Sequence, residues 1–204
     1  MISKVQWTEE RRDRPIWVGD DKHEYTVKSG YSVLNNKGTM HTCQVFQLLW
    51  NLNIAPLAIV CAWRIFLDRL PTRFNLERRG MQLGNVQCPM CQEEVETTQH
   101  LFNTCKVAHK VWNHCKRWVG NVAVRHEFVF VHFQSFYLIG QRQSVNRVWK
   151  GMWVAIVSEI WNHKNKVVFK GRMVDAEKIF SLAKLKGWLW IRYKTSRTSF
   201  SFPD

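Results

Sequence analysis

The amino-acid sequence predicts a mainly α-helical chain with a small N-terminal β-hairpin, an α+β arrangement whose C-terminal half is helical and basic. Three observations carry this expectation. Apolar and polar residues alternate near the start, apolar residues recur at helical spacing from Val45 onward, and 18 of the 30 Lys and Arg residues follow Cys105.

Trp7 to Val18 and Glu24 to Lys28 alternate about the turn-forming Gly19-Asp20-Asp21, which reads as the hairpin. Ser29 is placed to cap a short helix carrying Tyr31, Val33 and Leu34, and Asn35-Asn36-Lys37-Gly38 breaks it. Val45 to Leu52 and Pro56 to Leu70 follow as two buried helices, with Pro56 suited to a first turn, where its missing N–H costs nothing. Thr72 reads as the N-cap of a short basic helix, Arg73 to Arg79, which Gly80 stops and whose Arg73, Arg78 and Arg79 face solvent.

Ala108, Val111, Trp112, Cys115 and Trp118 mark one face of a helix ended by Gly120. Phe128 to Ile139 is apolar and suits helix or strand equally. Val145 to Phe169 sets Val148, Trp149, Met152, Trp153, Ile156, Ile160 and Trp161 on a helical stripe, and Asp175 caps a last helix to about Arg192. Two regions are expected, residues 1–120 and a basic, Trp-rich helical part, 121–204, although a continuous core across 120–126 fits the pattern equally. The closing Phe-Ser-Phe-Pro-Asp has no ending signal, so the chain is expected to stop within a longer parental sequence.

With 204 residues, 46% of them hydrophobic, and with eleven Trp and twelve Phe, there is enough apolar surface for a sizeable core. The opening fifteen residues lack the apolar run of a secretory leader, which implies an intracellular protein of the nucleus or cytoplasm. No segment approaches the roughly 18 apolar residues of a membrane span; Ile54 to Trp63 is too short and Arg64 follows it. Residues 1–105 hold 12 Lys and Arg against 11 Asp and Glu, whereas residues 106–204 hold 18 against 5. A positive field of that size favours polyanions, RNA or DNA first and anionic membrane surfaces second, through Coulomb attraction and counterion release; a solvated basic face without a partner is the alternative.

Six Cys residues in a reducing compartment make a poor disulfide framework, and a close pair there reads as metal ligation. Cys88, Cys91, His100 and Cys105 stand as C-x2-C-x8-H-x4-C. The C-x2-C half forms a tight turn whose thiolates converge, and Thr97 starts a short helix with His100 in its first turn and Cys105 at or just past its end. Three thiolates and an imidazole suit tetrahedral zinc, at about 2.3 Å for sulfur and about 2.0 Å for nitrogen, and a shell filled by protein is structural. The same residues also allow a chance cluster of buried cysteines, a redox C-x2-C pair, or a site that recruits His109 or His114. Pro89 alone supports the redox pair, and His109 and His114 read as helix-face residues. Cys43, Cys61 and Cys115 fall on apolar stripes as buried free thiols.

Around this motif stand Trp17, Tyr25-Thr26-Val27-Lys28-Ser29-Gly30-Tyr31, Trp50, Pro56, Trp63-Arg64, Leu70-Pro71-Thr72, Asn75-Leu76, Arg78-Arg79-Gly80, Glu96-Thr97 and Trp112. In this order they resemble the reverse transcriptase zinc-binding domain of plant non-LTR retrotransposons over roughly residues 17–112. The resemblance implies a retroelement-derived protein whose module followed a reverse transcriptase and often precedes a ribonuclease H domain. Trp161 to Asn165 resembles a W-x-x-R-N segment of such proteins, with Lys164 where Arg is usual, a change that keeps the charge and loses the guanidinium fork.

No paired-aspartate polymerase motif occurs, and Asp13, Asp20, Asp21, Asp68, Asp175 and Asp204 are scattered without the strand context of a two-metal nuclease. No G-x-S-x-G and no glycine-rich phosphate loop is present, so catalysis is not expected. The leading expectation is a zinc-stabilised accessory module that binds RNA or DNA non-specifically beside a polymerase. Its candidate contacts are Arg73, Arg78 and Arg79 before the motif and Lys106, Lys110, Lys116 and Arg117 after it. A protein-interaction scaffold presenting Trp-rich stripes, or a non-functional retroelement fragment, are the alternatives.

Overall fold

A computed structural model describes Trp17 and residues 24–30, 40–120 and 128–195, and divides the chain into two compact units, residues 1–44 and 45–204. Among the described residues there is no β-strand, only one isolated antiparallel bridge between Gln87 and Val95. The N-terminal hairpin is therefore corrected. Residues 24–26 are irregular and 27–30 are helical, so Glu24 to Lys28 does not form a strand; the partner stretch, apart from Trp17, lies outside the described residues.

The physical reason is a reciprocal cap. The Ser29 backbone N–H donates to Thr26 Oγ1 at 3.0 Å, the Thr26 N–H donates to Ser29 Oγ at 3.1 Å, and the Gly30 N–H reaches the Thr26 carbonyl at 2.9 Å. Two polar side chains three residues apart satisfy each other's backbone donors, and that stabilises a helical turn over an extended one. The N-cap is thus Thr26, three residues before the expected Ser29. Tyr25 stands edge-on to Trp17 at 5.0 Å, and a Cβ on Gly30 would come within 3.1 Å of the Tyr25 ring, so glycine permits this close packing. The expected helix at Tyr31 to Leu34 and its break at 35–38 lie outside the described residues.

In the second unit the helices are α1 (Met40–Trp50), α2 (Pro56–Phe66), α3 (Arg73–Arg78), α4 (Lys106–Val119), α5 (Val129–Ser135), α6 (Gln143–Lys170) and α7 (Ala176–Thr195), with a π-helical turn at His100–Thr104. Residues 45–50 of α1 belong to this unit. Pro56 opens α2, Thr72 Oγ1 accepts the Asn75 N–H at the start of α3, and Asp175 Oδ1 accepts the Lys178 N–H at the start of α7. These are the caps expected from the sequence. The ambiguous apolar stretch after Phe128 is helical at Val129–Ser135 and irregular beyond.

The organising element is α6. From Trp149 to Ile160 every residue is buried, so this stretch of the helix is enclosed by its neighbours on all sides. It packs against α2, α7 and the π turn, while α7 also lies on α4, and α5 on α2. Trp153, 0% exposed, meets Phe133 at 5.0 Å, Phe66 at 5.7 Å and Trp112 at 6.4 Å between ring centroids. This single aromatic cluster ties residues on either side of 121–127, which themselves lie outside the described residues, into one core.

Two charged groups buried with it have partners. Lys150 donates to the Phe133 and Gln134 carbonyls, completing the C-terminal end of α5, and Glu159 is held by Asn162 and Lys186. Gly171, at φ 57°, ends α6 in the left-handed conformation and starts the reversal into α7. No helix among the described residues is long and apolar enough to cross a membrane.

Candidate metal centre

The ligand cluster begins with a knuckle. The Cys88 N–H donates to the Glu94 carbonyl at 2.7 Å and the Gln92 N–H to the Cys88 carbonyl at 2.8 Å, while Gln92 adopts φ 61° to close the turn. The bridge between Gln87 and Val95, and the Glu96 N–H on the Val86 carbonyl at 2.9 Å, draw the ends of this loop together. The Cys91 N–H points at the Cys88 sulfur.

The second ligand pair depends on the π turn. Residues five apart on an α-helix face about 140° away from each other, given 3.6 residues per turn. Here Thr97 Oγ1 accepts the His100 N–H at 3.0 Å, and the Cys105 N–H bonds the His100 carbonyl five residues back at 2.8 Å. The widened turn brings His100 and Cys105 to the same side, a use of π geometry that often accompanies functional sites.

As a result, the ligand atoms of Cys88, Cys91, His100 and Cys105 all lie within 4.8 Å of one another. Cys91 Sγ is 3.2 Å from His100 Nε2, and the Cys88 and Cys105 sulfurs are 4.0 Å apart. Zinc–sulfur bonds of about 2.3 Å at tetrahedral angles place two sulfurs about 3.8 Å apart, so the cluster matches one ion in size and donor chemistry. His109 and His114, on α4, are not part of it.

The electrostatics make the same case. The Cys105 thiol beside it, then burial, push Cys88 up to about 12, while Cys105 is lowered by the contact with Cys88, against burial, and by the N–H groups of Ala108 and Val107. Burial opposes the charged imidazolium of His100, yet Cys88 and Cys91 hold its pKa up to about 9. Thiolates packed this closely repel one another, and a bound cation would offset that repulsion.

Two outer partners were not foreseen. Glu94 Oε2 lies 3.1 Å and Thr104 Oγ1 3.2 Å from His100 Nδ1, which turns Nε2 toward the sulfurs and sets the tautomer a metal requires. Thr104 was accessible from sequence, four residues after His100 on one helical face. Glu94 carried no such signal, because a loop carboxylate has no periodicity.

A third connection joins the knuckle to α6. Glu96, 0% exposed, accepts the Arg73 N–H at 3.3 Å where α3 begins, and its other oxygen lies 3.0 Å from Lys164 Nζ, itself 4.0 Å above the Trp161 ring. The ammonium and Oε1 form an ion pair without the angle of a full hydrogen bond. Lys164 is thus a buried strut from the C-terminal half to the metal loop, and burial lowers its pKa against the pull of Glu96.

The basic candidates divide by role. Arg73 is half-buried, donating to the Gln87 carbonyl and lying 3.9 Å from Glu96. Arg78 pairs with Asp68 at 3.6 Å and Arg79 donates to the Arg69 carbonyl at 3.1 Å, both from exposed positions. Lys106, Lys110, Lys116 and Arg117 are all exposed on α4, with Lys106 near Glu93. Of the remaining cysteines, Cys115 is buried and Cys61 partly so; both are free, and burial raises them to about 12 and about 11, the rise at Cys61 countered by Ser158. The Cys43 side chain lies outside the described residues.

No curated protein and no solved structure matches the chain. The family model described as zinc-binding in reverse transcriptase matches residues 25–112, a span that contains all four ligands. By that match and by the Cys₃His cluster, residues 25–112 are similar to the family described as zinc-binding in reverse transcriptase.

Proposed function

We propose that this protein is a retroelement-derived, non-catalytic accessory module of the plant non-LTR type, acting in the nucleus or cytoplasm, that holds RNA or DNA non-specifically beside a reverse transcriptase or ribonuclease H neighbour. All four coordination positions are supplied by protein, which supports a structural ion that pins the knuckle to the π turn. The observation that carries the binding is the outer face of α4. Its 14 residues include no acid, and Lys106, Lys110 and Arg117 recur four and seven residues apart on one side of it. They span about 17 Å of axis at about 1.5 Å per residue, with Lys116 beside them, a row of cations suited to successive phosphates.

The test is titration of the zinc-loaded chain with single-stranded RNA at several salt concentrations. Affinity should fall with salt by about 0.7 logarithmic units per phosphate contact for each decade of salt. The triple variant K110A/K116A/R117A should lower that slope by about 2 and weaken all sequences alike. Absence of binding at low salt sinks the reading.

A further inference from the structure

Beyond the basic face of α4 lies a feature with no part in the metal centre. Trp118, on the apolar stripe of α4, is 55% exposed, and its ring stands 6.2 Å from that of Trp149 on α6. Together with Trp188 and Trp190 of α7 these indoles line a largely apolar cavity of about 650 Å³. The charged residues on its wall are Arg147 and Lys184, and no acidic residue lines it among the described residues. The Lys184 ammonium lies 5.7 Å from the Trp118 ring, and the Arg192 guanidinium lies 5.0 Å over Trp188.

We propose that this cavity is a base-binding site for unpaired nucleic acid, an inference that rests on the nucleic-acid reading above and locates where the bases go. Indole faces stack on any base, whereas cations at the mouth meet the phosphates attached to it; a nucleotide supplies both in one unit. The cavity volume falls within the few hundred to about 1,000 Å³ typical of small-ligand sites. Continuity argues for the same occupant. Arg117 belongs to the cationic face and Trp118, the next residue, is turned about 100° round α4 at nearly the same height, so a strand leaving the last of the α4 cations reaches the indoles by crossing the side of the helix. The two charged residues on the cavity wall are both cations, which favours a polyanion over an apolar protein segment.

The experiment compares a single-stranded ribo-oligomer with an abasic oligomer of equal length and charge, each titrated into the zinc-loaded full chain and followed by indole fluorescence and oligomer anisotropy. The abasic oligomer should bind at least about fivefold more weakly, the loss expected for one stacked base, and should leave indole emission unquenched. Trp118→Ala and Trp188→Ala, both at half-exposed positions, should erase the difference while keeping the abasic affinity and the salt slope of the unaltered protein. Equal affinity of the unaltered protein for the two oligomers overturns the base site, leaves charge-driven binding standing, and points to another occupant such as a protein segment. Failure of both oligomers to bind overturns the two readings together.

Discussion

Replacing Lys164 by Met removes the only α6 cation that reaches Glu96 while keeping most of the side-chain volume. In the native arrangement the charges lie 3.0 Å apart with side-chain exposures of 6% and 0%. At an effective dielectric of about 20 their attraction is about 5 kcal/mol, most of it offset by the cost of taking both from water. The substitution leaves the carboxylate buried, with Arg73 at 3.9 Å as its remaining cation. Stranding one member of a buried pair costs about 3–5 kcal/mol, and the lost contact with the Trp161 ring adds up to about 2 kcal/mol. Since a domain is stable by only about 5–15 kcal/mol, K164M should be folded but fragile.

Urea unfolding at fixed free zinc, read by Trp fluorescence, measures this, and E96Q and the double variant E96Q/K164M complete the cycle. The double variant should recover a large part of the loss, because it removes the stranded charge. A K164M protein within about 1 kcal/mol of the unaltered one, or a double variant no more stable than K164M, would falsify the strut.

Two further outcomes follow from the same geometry. His100→Ala should abolish the single bound zinc, whereas Glu94→Gln should keep it with about 10- to 100-fold weaker affinity, measured by competition with a chromophoric chelator; an unchanged affinity would remove Glu94 from the outer shell. Burial lowers Lys150 from 10.5 to about 8 in the folded chain, so between these values the unfolded chain holds a proton that the folded one has released. Stability from this group is therefore lowest below pH 8 and rises across that window, by no more than about 3 kcal/mol. The difference in unfolding free energy between the unaltered protein and K150M should climb from pH 8 to 10.5, and a flat or falling difference contradicts the burial of a charged ammonium.

The candidate ligand set, the caps at Pro56, Thr72 and Asp175, and the stop at Gly120 are local matters, set by spacing and by one side chain on one backbone group. Such local signals are legible in sequence, although nothing in the sequence reading marks Gly171 as the end of α6. The hairpin misled because Glu24 to Lys28 alternates, yet two hydroxyls three residues apart capped a helix in the same stretch. Trp118 shows the opposite limit: periodicity put it on the buried face of α4, but no residue of α6 or α7 covers it fully, and it stands 55% exposed.

Sequence alone therefore pointed to a zinc site and its four candidate ligands, the helical character of the chain and the excess of positive charge after Cys105, since each is written in residue type and spacing. Only the tertiary structure decided that a π turn aligns His100 with Cys105, that Glu94 orients the imidazole, and that Lys164 binds the metal loop to α6. Those contacts join side chains up to 68 residues apart, as between Glu96 and Lys164, and no local pattern encodes a pairing that exists only once α6 is enclosed by the core.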